Sequence, residues 1–344
     1  MDIQAAIAAL INEKSLSKKD MSSVMRQIMS GRATDAQIGA FLIALRIKGE
    51  TIDEISSAAQ VMRDLVEPVI CKNKDLVDLV GTGGDSANLF NVSTGASFVA
   101  AAAGAKVAKH GNRSVSSSSG SADLLESLHI SIDLSPDQIA AEIDTIGLGF
   151  MFAPNHHKAM KYAAGPRKEL GLRTLFNVLG PLTNPAGVKR QVIGVFTERL
   201  CETVARSLLA LGSEHAMVVH SKDGLDEISI AADTVICELH NGHLDRYVIS
   251  PVDFDLPMQT LEGLDVQNAC QSAKVIKGAL AGDSDPIFKK AANMLAMNAG
   301  ATIYVSGVAS SFAEGVAEAT KVLNNGEAEA KLKALIEFSA NLPS

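Results

Sequence analysis

Residues 76–85 read Leu76-Val77-Asp78-Leu79-Val80-Gly81-Thr82-Gly83-Gly84-Asp85, an apolar run that breaks into a glycine-rich turn. Asn91-Val92-Ser93-Thr94-Gly95 follows and opens a small-residue segment reaching Ala103. A second apolar run, Lys106-Val107-Ala108, ends on Lys109-His110-Gly111-Asn112-Arg113, and a serine-rich loop closes on Gly120-Ser121-Ala122-Asp123. The pattern predicts a strand, a backbone-rich turn, a helix N-terminus, a second strand and a cationic tip beside hydroxyls. Those are the parts of a phosphate site in an α/β domain, because a helix N-terminus and glycine N–H groups favour an anion.

Outward from this stretch, short apolar runs alternate with helical ones. Strands are expected at 76–80, 106–108, 148–152, 191–196 and 216–220, with helices at 94–103, 123–128, 135–146 and 199–211 between them. Such alternation implies a mostly parallel sheet. Val235–Leu239 and Arg246–Ile249 flank Asn241-Gly242, the strongest short hairpin signal, so an antiparallel element is expected there. The last ninety or so residues return to helical spacing, with 303–306 readable as strand or helix.

The first 70 residues read as helices only. Thr34-x-x-Gln37 and Thr51-x-x-Glu54 are capping-box patterns, Gly49 stops the first of these helices and Pro68 is expected to end the second. We expect a helical domain at 1–70, with residues near 165–185 packing on it, and an α/β domain at 71–344. Apolar faces left on the helical part suggest contact with a second copy of the chain.

Composition narrows the function. The chain has 344 residues, 47% hydrophobic and 20% charged, enough for a large core. A net charge of −8 (39 acidic against 31 basic residues) argues against binding nucleic acid or an anionic membrane surface. The longest apolar stretch, 96–108, is too short and too rich in alanine and glycine to span a bilayer. Cys71, Cys201, Cys237 and Cys270 form no C-x-x-C pair and are expected as reduced thiols in a cytoplasmic protein.

Two common nucleotide motifs fail on the glycine turn. The third glycine of G-x-G-x-x-G would fall on Ser86, and Lys109-His110 stands where a ribose-binding acid belongs. No lysine follows the glycines as a Walker loop requires.

The residues that remain resemble the anthranilate phosphoribosyltransferase family. Its pattern is carried by Gly81–Asp85, Asn91-x-Ser-Thr94, Lys109–Arg113, Gly120–Asp123, the run from Gly165-Pro-Arg167 to Asn184-Pro185, and Asp223-Gly-x-Asp-Glu227. The resemblance spans nearly the whole chain. It implies a small helical domain beside a larger α/β domain, of the nucleoside phosphorylase/phosphoribosyltransferase type, and a homodimer through the helical parts. It also implies transfer of the phosphoribosyl group from phosphoribosyl pyrophosphate to the amino nitrogen of anthranilate, with two magnesium ions, in tryptophan biosynthesis.

By resemblance, Gly81, Gly84, Asp85, Leu89, Asn91, Val92, Ser93 and Thr94 hold the pyrophosphate end of the donor. Lys109, His110, Gly111, Asn112, Arg113, Ser114, Val115, Ser116 and Ser117, with Ser121, surround the rest. Gly81, Asn112 and Arg167 address anthranilate, whose carboxylate suits a guanidinium fork; we expect His110 and His156 to line its path. Ser93, Asp226 and Glu227 carry the magnesium, and Lys109 stabilises the leaving charge. No general base is assigned, since an aniline nitrogen attacks with its own lone pair.

The chain departs from the family's pattern twice. Leu89 replaces a common threonine, removing a hydroxyl on the order of 1 kcal/mol in donor binding, and His129 stands where glycine is common. A pyrimidine-nucleoside phosphorylase is the nearest competing activity, but it needs no diphosphate metal pair. A nucleic-acid-binding relative of similar fold would need a basic face.

Overall fold

The computed structural model describes residues 1–84, 87–114 and 118–342. Four helices come first: α1 (Ile3–Ile11), α2 (Lys18–Met29), α3 (Asp35–Lys48) and α4 (Ile52–Asp64). Both predicted capping boxes form, on Thr34/Gln37 and Thr51/Glu54. Glu54 does more than cap. Fully buried, it accepts from the backbone N–H of Thr51 (2.8 Å) and of Leu16 (2.9 Å) and from Lys48 Nζ (2.8 Å). It thereby ties the α1–α2 turn to both later helices. α4 stops at Asp64, four residues before the Pro68 that was expected to end it.

The α/β part then runs β1 (Leu76–Gly81), α5 (Val92–Ala102), β2 (Lys106–Gly111), α6 (Ser121–Ser127), α7 (Pro136–Ile146), β3 (Leu148–Phe152) and α8 (Ala153–His156). Next come α9 (Lys161–Leu170), α10 (Leu175–Leu179), β4 (Arg190–Gly194), α11 (Arg199–Ala210), β5 (His215–Ser221), β6 (Thr234–His240) and β7 (His243–Ile249). Helices α12 (Ala269–Leu280), α13 (Pro286–Ser306), α14 (Phe312–Asn324) and α15 (Glu327–Ala340) close the order. Residues 303–306, ambiguous in sequence, are the last turn of α13, which ends on Gly307 at φ +84°. β6 and β7 join through Asn241 (φ +50°) and Gly242 (φ +81°), the left-handed pair that an Asn-Gly hairpin turn requires.

The strands lie in the order β3-β2-β1-β4-β5-β6-β7, parallel as far as β5 and antiparallel for β6 and β7. Alternate side chains feed two cores, as period-2 burial on both faces demands. Val77, Leu79, Val192 and Met217 pack against α5 and α12–α15. Ile193, Val195, Ala216 and Val218 pack against α11, the N-terminal helices and the α9–α10 segment. The molecule is thus a small N-terminal helical domain beside a larger α/β domain with a mostly parallel sheet. None of its described helices is long and apolar enough to cross a membrane.

Two close approaches fix helices against one another. A Cβ on Gly315 would lie 2.2 Å from the Gly300 carbonyl oxygen, and one on Gly300 would meet Val316 backbone at 2.7 Å. So α13 and α14 cross nearly in backbone contact. At the end of α6, exposed His129 takes φ +62°, the left-handed position that glycine occupies at low cost.

Two stability predictions follow from this geometry. His129→Gly should stabilise the protein by about 1 kcal/mol, since the left-handed strain of an L-residue disappears; an unchanged urea midpoint would refute it. Glu142 of α7 is 1% exposed, and among the described residues its side chain has a single hydrogen bond, a long 3.4 Å acceptance from the Phe150 N–H. Burial pushes its carboxyl up from 4.5 to about 8. A raised carboxyl favours the protonated folded state, so its contribution is present below pH 4.5 and is lost as pH rises towards 8. Glu142→Gln should therefore raise Tm by several degrees at pH 8 and hardly at pH 5; parallel Tm–pH curves for the two proteins would contradict the assignment.

Candidate functional site

The chain leaves β1 for β2 on one side and later enters β4 on the other, so the strand order reverses between β1 and β4. In open α/β sheets, ligands bind beyond the carboxyl ends of the strands at such a reversal. Here the two strands end on a facing pair of glycines, Gly81 and Gly194. A Cβ on Gly194 would lie 1.5 Å from the Asp226 carbonyl oxygen, and one on Gly81 would lie 2.4 Å from Asp226 Oδ2. The absent side chains let the Asp226-Glu227 segment settle onto the strand ends.

The same carboxylate then accepts the Gly83 N–H at 2.7 Å, while the Thr82 N–H donates to the Gly194 carbonyl at 2.9 Å. This corrects the expectation that the turn aims its backbone N–H groups outward at phosphate. Two of them are used inside the protein, and what glycine supplies is room. Gly84 (φ +86°) completes the turn, and a Cβ there would meet the Arg173 guanidinium at 2.7 Å. From the other side Asn298 of α13 holds the acidic segment, accepting the Ile228 N–H (3.0 Å) and donating to the Ile228 carbonyl (2.9 Å).

Lys109, 3% exposed at the end of β2, donates to the Leu79 carbonyl at 2.6 Å and to Ser93 Oγ at 3.3 Å. Burial pulls its pKa down, against the attraction of Asp78 and Glu227. Asp78, fully buried in β1, is pushed up to about 6 by burial, opposed by Lys109 and by hydrogen bonds from Asn184 Nδ2 (2.8 Å) and the His110 N–H (3.2 Å). Asn184 also donates to the Ala108 carbonyl (2.9 Å), so the 180–186 segment is pinned beneath the lysine. Gly81, Ser93, Lys109, Asp226 and Glu227 are thus brought to one end of the sheet. Carboxylates and a hydroxyl are hard oxygen donors, the set a magnesium ion takes.

Histidines line a second wall. His110, His156 and His157 are 4%, 2% and 8% exposed, and the Nε2 of each lacks a hydrogen-bond partner among the described residues. His110 and His157 rings lie 5.2 Å apart, and His156 Nδ1 contacts the Glu67 carbonyl at 2.9 Å. Burial lowers the pKa of all three, His157 to about 4, so the wall is neutral at physiological pH. Arg167 on α9 sits 5.4 Å over the Phe176 ring and faces no carboxylate among the described residues.

Other expected site residues serve the framework. The Asn91 side chain accepts from Ser272 Oγ (2.7 Å) and Ser119 Oγ (2.9 Å) and donates to the Ser119 carbonyl (3.0 Å), fastening the serine loop to α12. The exposed Arg113 pairs with Glu126 and with Asp123 (3.1 Å), away from Lys109 in partnership. Asn112 accepts from Ser121 Oγ (3.2 Å) through its carbonyl, and a Cβ on Gly111 would strike that same hydroxyl. The Ser114 N–H donates to Asp123 (3.0 Å). Leu89 packs on the core and bridges Asp265, and Val92 is buried. Thr94 Oγ1 is buried without a partner among the described residues. Asp85, Val115, Ser116 and Ser117 lie outside the described residues.

The glycine pair yields a direct test. Gly194→Ala should destabilise the protein by about 3 kcal/mol, since backbone must move to admit the methyl group. Gly180→Ala, with open space at its Cβ, is the control. Equal urea midpoints for the two variants would show that the close approach is not a constraint.

Known proteins share this arrangement. Residues 73–329 match the α/β domain of a glycosyl transferase family, and residues 4–66 match that family's helical bundle domain. The anthranilate phosphoribosyltransferase of Saccharophagus degradans is 60% identical over 99% of this chain and 100% of its own length. That of Acinetobacter baylyi is 56% identical over 99% and 98%. Among solved structures, the Thermus thermophilus enzyme superposes with a TM-score of 0.91 at 38% identity, covering 97% of this chain and 99% of its own. The Saccharomyces cerevisiae enzyme in complex with PRPP and Mg gives 0.87 at 26% identity, covering 99% and 98%. With two domains matched and relatives aligned from end to end, the chain belongs to the anthranilate phosphoribosyltransferase family.

Proposed function

We propose that this protein transfers the 5-phosphoribosyl group from phosphoribosyl pyrophosphate to the amino group of anthranilate, releasing pyrophosphate, as a step of tryptophan biosynthesis. The observation that carries the reading is the seating of Asp226 on the Gly81–Gly194 pair beside buried Lys109, in a chain 60% identical to a named enzyme. It sets two carboxylates and an ammonium group around one crevice, the chemistry needed where a diphosphate leaves.

Donor binding is assigned to the strand-end face: Gly81, Gly84, Asp85, Ser93 and Thr94, with Lys109 and the loop from Gly111 to Ser121. The unpartnered Thr94 hydroxyl suits a phosphate oxygen, and Asn91 and Arg113 hold the surrounding loop through their own bonds. As pyrophosphate departs, Lys109 offsets the growing negative charge from a site where burial strengthens the interaction. Magnesium, held by Ser93, Asp226 and Glu227 in two ions, would neutralise further leaving-group charge.

Acceptor binding is assigned to Arg167, Asn112, Gly81 and the histidine wall. Arg167 has no competing carboxylate among the described residues and can take that of anthranilate as a fork. Neutral His110 and His156 place no cation against the attacking amine. We further assign residues 1–70 and 71–344 to separate domains and place the reaction in the cytoplasm. A homodimer through the helical part is supported by Ile47 and Tyr162, exposed on contacting helices α3 and α9, and by exposed Leu172.

The test is loss of anthranilate fluorescence on adding phosphoribosyl pyrophosphate. Loss should require magnesium and fall at least about 100-fold in Asp226→Asn/Glu227→Gln. Arg167→Ala should raise the anthranilate KM about 10-fold or more and leave the donor KM nearly unchanged. No loss under any of these conditions would sink the acceptor assignment, and phosphorolysis of pyrimidine nucleosides would be assayed next. Because the histidine wall is already neutral, kcat/KM should lack an acid limb near pH 6.5; a limb there that His110→Asn removes would overturn that assignment.

A further inference from the structure

At the opposite end of the strands a second group of ligating side chains gathers. His215 opens β5 and His240 closes β6; the two are register partners, and Glu238 lies two residues back on the same face. One potential ligand atom from each of the three lies within 4.8 Å of the others. The His215 and His240 rings stack at 4.1 Å, and His215 Nε2 contacts Glu238 Oε1 at 2.9 Å. Across the hairpin His240 pairs with His243, which puts another imidazole on that face.

We propose that His215, Glu238 and His240 form a binding site for one divalent transition-metal ion of the zinc type, separate from the magnesium-binding acids. Two imidazoles and a carboxylate are borderline donors that select zinc-like ions over magnesium, which prefers oxygen alone. Tetrahedral zinc ligands stand about 3.3 Å apart, so small side-chain rotations close the present spacing. A bound ion would sit between His215 Nε2 and Glu238 Oε1, which now meet at 2.9 Å.

The carboxylate is already held for such a role. Tyr247 donates to Glu238 Oε2 at 2.6 Å, and Tyr304 of α13 donates to Oε1 at 2.8 Å. Hydrogen bonds of this kind orient metal-binding carboxylates. The side chains of His215 and Glu238 are only 6% and 12% exposed, whereas His240 and His243 face solvent. Access is thus from one side, with His243 or water completing the coordination. Since β5 runs seven residues from His215 to the catalytic end, about 20 Å separates this site from the crevice. Its expected effect is to fasten the β6–β7 hairpin to β5 and α13.

Cobalt(II) titrated into chelator-treated, full-length protein in excess magnesium provides the test. We expect visible ligand-field absorption of tetrahedral intensity that saturates at one cobalt per chain and is displaced by zinc. Zinc should also raise Tm by about 5 °C at a hundredfold excess over Kd. His240→Ala, at an exposed position, should abolish both signals and keep the fold by circular dichroism, while Asp226→Asn keeps both signals. Absence of the band, or its persistence in folded His240→Ala, would overturn the proposal.

Discussion

Asp226 can reach the strand ends only because two neighbouring strands finish without side chains. The carbonyl of that one residue occupies the space a Cβ would need on Gly194, and its carboxylate the space above Gly81. A parallel sheet whose order reverses between β1 and β4 brings these glycines side by side. The crevice therefore depends on register. A one-residue slip of β4 would put Ile193 or Val195 opposite Gly81 and turn the strand's core residues to the wrong face.

A buried polar seam runs under the crevice. Asp78 and Lys109 occupy adjacent strands, and burial drives both toward their neutral forms while their mutual attraction resists. Asn184 supplies the donors that make the arrangement tolerable, reaching both Asp78 and the Ala108 carbonyl. Unpaired, a charge in that position would be strongly destabilising. The lysine is thus held at a fixed depth, with its ammonium group turned toward Ser93.

Much of the fold was legible because its signals are local. Apolar runs marked each strand to within a few residues, Thr34 and Thr51 announced helix starts, and Asn241-Gly242 announced the hairpin. The end of α13 was harder. Ile303, Tyr304 and Val305 favour strands by themselves, and the burial that makes them helical comes from elements distant in sequence. The same limit applies at the crevice. Gly81, Lys109, Asp226 and Glu227 carried a recognisable pattern, whereas Gly194 and Asn298 matter through contacts with residues far along the chain. Asp78 did leave a trace, a charge in the middle of an apolar strand. The outward-aimed backbone cradle was misjudged at two positions, because the Gly194 carbonyl and the Asp226 carboxylate, both far along the chain, claim the N–H groups of Thr82 and Gly83 first.

The glycine crossing of α13 and α14 reaches further than its place in the core suggests. α13 bears both Asn298, which grips the backbone beside the acidic pair, and Tyr304, which grips Glu238 towards the other end of the strands. A methyl group added at Gly300 or Gly315 has nowhere to go but into the facing backbone, so the helix would have to shift as a rigid rod. Both grips would move with it. In this chain, distance from the crevice is a poor guide to mutational tolerance, and drift at two glycines deep among apolar residues would be felt as misplaced carboxylates.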